Sequence, residues 1–233
     1  MHPLMQPLTN KVAIITGAGQ GIGTAVAHAL AAAGIRVAVN DLNPDRAERV
    51  AAEIQRAGGQ AIAVPADIAN KFQCVHLIET TRAAWAQLDI LVNNAAVMPQ
   101  SPILKMDEWD WNRCLDVNLK GVFFMSQLCG RVMADENTER GGLILNIAST
   151  AGMEVPFENR AAYCASKAGV IGFTRECARE FAGFGVRVAA LALAENEPGD
   201  VATAVAAQVV EWCHFQKDDS PWRAESPILS LKT

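Results

Sequence analysis

The chain carries one tyrosine, at position 163, and four histidines, at 2, 28, 76 and 214, in 233 residues. No two histidines stand at metal-ligand spacing, so no metal site is expected. The six cysteines (74, 114, 129, 164, 177 and 213) include no Cys-x-x-Cys pair. Scattered in a chain of this size, they read as reduced, mostly buried thiols of a cytoplasmic protein. No apolar run reaches the ~18 residues of a membrane span, and MHPLMQPLTN at the start has no apolar signal segment. Basic residues are outnumbered 20 to 25, for a net charge of −5, which argues against a nucleic-acid partner. Internal repeats and low-complexity linkers are absent too. One domain over 1–233 is therefore expected, with an atypical segment at 193–233.

What is present is a globular balance, 51% hydrophobic and 19% charged. Short β-branched runs alternate with alanine-rich helical stretches. VAIIT (12–16) reads as a strand, 21–34 as a helix, RVAVND (36–41) as a strand and 44–59 as a helix ended by glycines. AIAVPAD, DILVNNA, LILNIAS and VRVAALALA supply four more strands. They are nearly all apolar, as strands covered on both faces are. This alternation predicts an α/β fold, a doubly wound parallel sheet in three layers.

TGAGQGIG (16–23) lies between the first strand and the first helix, with its glycines at 17, 19, 21 and 23. Glycines there permit a tight turn and let a pyrophosphate approach a helix N-terminus; a tight turn with no ligand is the plainer alternative. Asp41 ends the second strand. A carboxylate there can accept both ribose hydroxyls of adenosine and would repel a 2′-phosphate, so NAD is expected over NADP. Capping of the turn that follows is the other reading of Asp41, and Arg36 and Arg46 are cations that would weaken the preference.

Tyr163 and Lys167 stand four apart in YCASK, within a predicted helix over 161–183, so they share a face. A free phenol, with pKa near 10, is a poor base at neutral pH. Bringing it to about 7 takes about 4 kcal/mol, and an ammonium about 4 Å away supplies that at an effective dielectric near 20. Such a phenol suits proton exchange with an alcohol or carbonyl. Ser149 follows the strand LILNIA at the end where such sheets bind ligands, and Asn118 lies in a helical stretch where asparagine is mediocre. Mid-helix, Asn118 could hold a water leading to Lys167 or bond a backbone carbonyl.

Together TGAGQGIG, Asp67-Ile68, NNAA (93–96), Asn118, Ser149 and YCASK resemble the short-chain dehydrogenase/reductase family, in order, from about residue 9 to about 192. The resemblance implies a Rossmann-type sheet of order 3-2-1-4-5-6-7 and an Asn118, Ser149, Tyr163, Lys167 catalytic set. Tyr163 would be the acid/base and Ser149 would orient the substrate oxygen. Lys167 would bind the nicotinamide ribose and acidify the phenol, and Asn118 would maintain a proton relay. Gly17, Gln20, Gly21, Ile22 and Gly23 would border the pyrophosphate, Asp67 and Ile68 the adenine, and Asn93 its ribose. Ala96 replaces the usual glycine, and slight crowding is expected there.

The end of the chain departs from the family pattern. Pro198-Gly199 with Thr203 either form the family's cofactor motif, displaced by a short insertion, or PGDVATAVAAQVV (198–210) is its late helix and the substrate lid is missing. The late helix is preferred, since Asp200 suits a helix N-terminus. PILSL (227–231) reads as a degenerate final strand. The expected activity is NAD(H)-dependent interconversion of a secondary alcohol and a ketone. The alternative is an inert dinucleotide-binding protein acting through assembly or cofactor sensing. Val97, Met98, Met153, Val155 and Phe157 hint at a partly apolar substrate. A homodimer or homotetramer is expected, through helices including 107–134 and 161–183.

Overall fold

Parallel pairing of apolar strands organises the molecule. A computed structural model describes residues 8–153, 157–194, 200–214 and 228–230. Strands β1 (Val12–Ile15), β2 (Arg36–Val39), β3 (Ala61–Ala63), β4 (Ile90–Asn93), β5 (Gly142–Ser149), β6 (Val186–Leu193) and β7 (Ile228–Ser230) form one sheet. Its order is β3-β2-β1-β4-β5-β6-β7, all neighbours parallel. This is the expected Rossmann-type order. The degenerate PILSL segment supplies β7, in register with Ala190–Ala192 of β6. β5 and β6 make the longest ladder, from Gly142↔Val186 to Ser149↔Leu193, and so carry Ser149 to the carboxyl edge.

Helices cover both faces because alternate strand residues point to opposite sides. On one face Ala13, Ile15, Val37 and Val39 pack with α1 (Gly21–Ala32), α2 (Pro44–Arg56) and α7 (Val201–His214). On the other, Ile14, Ala38, Leu91 and Ile144 pack with α3 (Lys71–Trp85), α5 (Val122–Glu136) and α6 (Ala161–Phe181). α4 (Glu108–Leu115) runs into one π-helical turn, Asp116–Gly121, and then into α5. All six cysteines are free, and Cys164 alone is not buried. Among the described residues no helix is long and apolar enough to cross a membrane.

Local chemistry sets the boundaries. Asn43 caps α2 by accepting from the Arg46 amide, with Pro44 at the first helical position. Asn70 and Asp107 cap α3 and α4 likewise. α7 opens on Asp200, whose carboxylate accepts from the Thr203 amide and hydroxyl. That hydrogen bond holds the Asp200 carboxyl below its ordinary pKa. Thr203 is thus engaged in the first turn of a helix packed on α1. Pro198, Gly199 and Val155 lie outside the described residues.

Candidate active site

The carboxyl edges of β1, β4 and β5 converge with the N-terminal ends of α1 and α6. The turn after β1 is built on close approach. A Cβ on Gly23 would stand 2.4 Å from the Gly17 carbonyl oxygen, and one on Gly17 2.7 Å from the Ala95 Cα. Gly17 and Gly23 therefore pack the turn on itself and on the loop after β4. Gly21 differs: it takes φ +58 with nothing within 4 Å of its Cβ position, and that side of the turn stays open. Gln20, at the N-cap of α1, makes no side-chain cap, and the first turn of α1 holds no acid. Its amides are left for an anion. Ile22 packs sideways onto the core.

Two residues unremarked in the sequence lock this turn. The Thr16 hydroxyl accepts from the amides of Asn94 (3.0 Å) and Ala95 (3.1 Å). The Asn94 side chain donates to the carbonyls of Thr16 and Gly17, each at 3.0 Å. The signal available was the Asn-Asn pair at a strand end facing a Thr-Gly at another.

Asp41 stands against the same turn. Its carboxylate accepts from the Gly19 amide at 3.0 Å and from the Asn43 amide at 2.9 Å. It thus caps the turn that follows and borders the glycine bend. A Cβ on Gly19 would meet the Asp41 carboxylate at 2.6 Å, so this position too is closed to a side chain. Arg36 binds the Asn10 carbonyl, at the start of β2 and away from this edge. Arg46 remains beside Gly19, and Arg49 donates to the Gly19 carbonyl at 2.8 Å.

Ser149, Tyr163 and Lys167 come together. Ser149 is 3% exposed at the end of β5, where its hydroxyl accepts from the Ala151 amide at 3.1 Å and lies near enough to the Tyr163 phenol to lower its pKa. Lys167, one turn further along α6, has its Nζ 5.6 Å from the centre of the Tyr163 ring. The lysine is 3% exposed and donates to the Ile147 carbonyl at 2.6 Å. Burial pushes the Lys167 ammonium down to about 8. Burial also pushes the Tyr163 phenol above its ordinary value, and Ser149 and the Arg160 guanidinium pull it part of the way back. Lys167 is not among the groups that lower the phenol, and its ammonium donates to a backbone carbonyl of β5.

Asn118 is fully buried in the π-helical turn. Its side chain brackets Val97, accepting from the amide and donating to the carbonyl, each at 2.8 Å. It also donates to the Ser166 hydroxyl at 3.0 Å, and Ser166 donates to the Tyr163 carbonyl at 2.7 Å. The side chain is therefore a clamp between the loop after β4 and α6, and is not free to hold a water. Ser166, and the contact of Val97 with Asn118, were missed because their partners are distant in sequence.

The Asn93 side chain turns into the sheet, donating to Asn146 at 2.8 Å and Ser126 at 3.1 Å, and it is 2% exposed. Asp67 pairs with Arg113 at 3.0 Å, and Ile68 is buried against Gly121. Ala96 is exposed and does not take a positive φ.

The model of the family described as short chain dehydrogenase matches residues 11–214. The chain belongs to the short-chain dehydrogenase family. A 3-oxoacyl-[acyl-carrier-protein] reductase from Synechocystis sp. is 44% identical over 200 residues, 85% of this chain and 77% of that protein. A D-threitol dehydrogenase from Mycolicibacterium smegmatis is 39% identical over 181 residues, 78% of this chain and 68% of that protein. A crystal structure of a short chain dehydrogenase from Mycobacterium smegmatis superposes with a TM-score of 0.87 at 29% identity, covering 97% of this chain and 93% of that one. As a member of this family the chain is an oxidoreductase that uses a nicotinamide cofactor. The open Gly21 side of the turn and the uncapped N-terminus of α1 fit such a dinucleotide.

Proposed function

We propose that this short-chain dehydrogenase interconverts a secondary alcohol and a ketone with NAD(H), using Tyr163 as general acid/base. The observation that carries the reading is the convergence of the Ser149 hydroxyl, the Tyr163 phenol and the buried Lys167 at the carboxyl edge of the sheet. Relatives named for a 3-oxoacyl chain and for D-threitol support a substrate with oxygen on a chain carbon.

Gly17, Gln20, Gly21, Ile22 and Gly23 border the pyrophosphate, whose charge meets the free amides of α1. Asp67 and Ile68 flank the adenine, and Asn93 offers its backbone. The Asp41 carboxylate would accept the ribose hydroxyls of a bound NAD. Its negative charge disfavours a 2′-phosphate, so NAD is the preferred form despite Arg46 nearby. The nicotinamide, when bound, supplies the hydride acceptor or donor.

In the oxidising direction the substrate C–H departs as hydride while the O–H proton passes to the Tyr163 oxygen, leaving a ketone. Ser149 donates to the substrate oxygen and fixes its distance from the phenol. Lys167 would bind the nicotinamide ribose, exchanging its hydrogen bond to Ile147 for one to a ribose hydroxyl. The side chain of Asn118, committed to Val97 and Ser166, acts by holding α6 and with it Tyr163 in place. The raised phenol pKa keeps Tyr163 protonated at neutral pH, ready to donate to a ketone. Alcohol oxidation accordingly gains as pH rises.

The test is turnover by purified protein with NAD and with NADP over secondary alcohols, polyols and 3-hydroxyacyl thioesters, followed by reduced-nicotinamide absorbance. Turnover preferring NAD is expected. NAD binding without turnover on any of them would favour the inert dinucleotide-binding alternative.

A further inference from the structure

Gly19 and Gly21 flank Gln20 in the turn after β1, and glycines leave the peptides between them free to rotate. Both polar groups of Gly19 are nevertheless held from outside the turn. Its amide donates to the Asp41 carboxylate at 3.0 Å, and its carbonyl accepts from the Arg49 guanidinium at 2.8 Å. Arg49 lies in α2 and is itself aimed. Its Nη1 donates to Glu53 Oε1 at 3.2 Å, one helical turn further on. The other Glu53 oxygen, Oε2, meets Nε2 of His28 on α1 at 3.3 Å. One arm on a carboxylate and one on a carbonyl fix the plane of the guanidinium fork, as they would not fix an ammonium. An exposed pair such as Arg49 with Glu53 adds little to stability, so its second contact, on the cofactor turn, is the informative one.

We infer that Arg49 is a positioning residue for the cofactor: by holding the Gly19 carbonyl it presents the Gln20 amide to the pyrophosphate. In a trans peptide the C=O and the next N–H point in opposite directions, and no cis peptide occurs among the described residues. With the Gly19 oxygen turned to Arg49, the Gln20 N–H faces away from it. That amide has no hydrogen-bond partner among the described residues. It stands at the N-cap of α1, whose first turn carries no acid. Rotation of the peptide would put a carbonyl oxygen where the donor stands and repel an anion. Arg49 ties that oxygen back before the nucleotide arrives, so binding does not have to order the turn. This rests on the reading that the pyrophosphate lies against the glycine turn.

Calorimetry with NAD and with NADP tests this without substrate. Arg49→Met should weaken both about fivefold to tenfold, since both carry the pyrophosphate, while its urea midpoint barely moves. Arg49→Lys should recover part of the loss. Glu53→Met separates positioning from plain attraction. It removes a negative charge near an anion site, which by charge alone tightens binding. Without Glu53 the guanidinium loses its aim, and NAD should instead bind about twofold to threefold more weakly. ADP-ribose, which keeps the pyrophosphate, should lose the same factor as NAD in Arg49→Met, and adenosine should lose none. NAD affinity unchanged in Arg49→Met, a loss confined to NADP, an equal loss for adenosine, or tighter NAD binding in Glu53→Met would overturn the inference. A wild type that holds adenosine as tightly as ADP-ribose would overturn the pyrophosphate reading and the inference with it. None of these titrations needs turnover, so absent turnover would count against the proposed reaction and leave this result standing.

Discussion

The Lys167 ammonium donates to the carbonyl of Ile147 at 2.6 Å, one strand away from the phenol it was spaced to serve. A lysine 3% exposed and pushed down to about 8 by burial is held against its own preference. Its positive charge costs the fold stability and is available to a ligand.

That cost has a pH signature. In the unfolded chain Lys167 keeps its ordinary pKa of 10.5, so between about 8 and 10.5 the unfolded state holds more protons. The lysine's contribution to stability therefore rises with pH across that window, by roughly 3 kcal/mol in full. Buried thiols work the opposite way above pH 9, since burial raises Cys74, Cys177 and Cys213 to about 12. The comparison must then be with Lys167→Met in urea at each pH. The wild type should gain on the variant from pH 8 upward, and parallel profiles would contradict the buried ammonium.

The glycine turn gives a contrast between neighbours. Gly23→Ala drives a methyl to 2.4 Å from the Gly17 carbonyl and 2.5 Å from the Asn94 side chain. It should cost about 1–3 kcal/mol and weaken NAD binding, as overpacking does. Gly21→Ala meets no atom within 4 Å and is strained only at φ +58, so about 1 kcal/mol is expected. Urea midpoints with and without NAD check both.

Asp41 should set cofactor choice. Asp41→Ala removes the acceptor of the Gly19 amide and the charge that repels a 2′-phosphate, while Arg46 stays beside Gly19. NAD affinity should fall about tenfold and NADP affinity should rise, as one lost charge-assisted hydrogen bond implies. Calorimetry with each nucleotide reads the outcome, and unchanged preference would remove Asp41 from the site.

Features carried by local spacing were legible in the sequence: the strand-helix alternation, the glycine turn between β1 and α1, and the shared face of Tyr163 and Lys167. Even β7 was visible as PILSL, because an apolar run needs only a free sheet edge. Contacts across the fold were not. Spacing puts Lys167 near Tyr163 but cannot say that a carbonyl of β5 accepts its hydrogen bond. Nothing near Asn118 announces that it closes on Val97, 21 residues earlier. Asn93 looked available at a strand end, yet the register that pairs it with Asn146 turns its side chain inward.

The most direct test is Tyr163→Phe, which deletes one oxygen and keeps the ring that stacks on Phe157. With NAD and an alcohol that the wild type oxidises, turnover should fall by about 10² to 10⁴ while NAD affinity is unchanged. Turnover equal to wild type would contradict the role of the phenol and with it the proposed reaction.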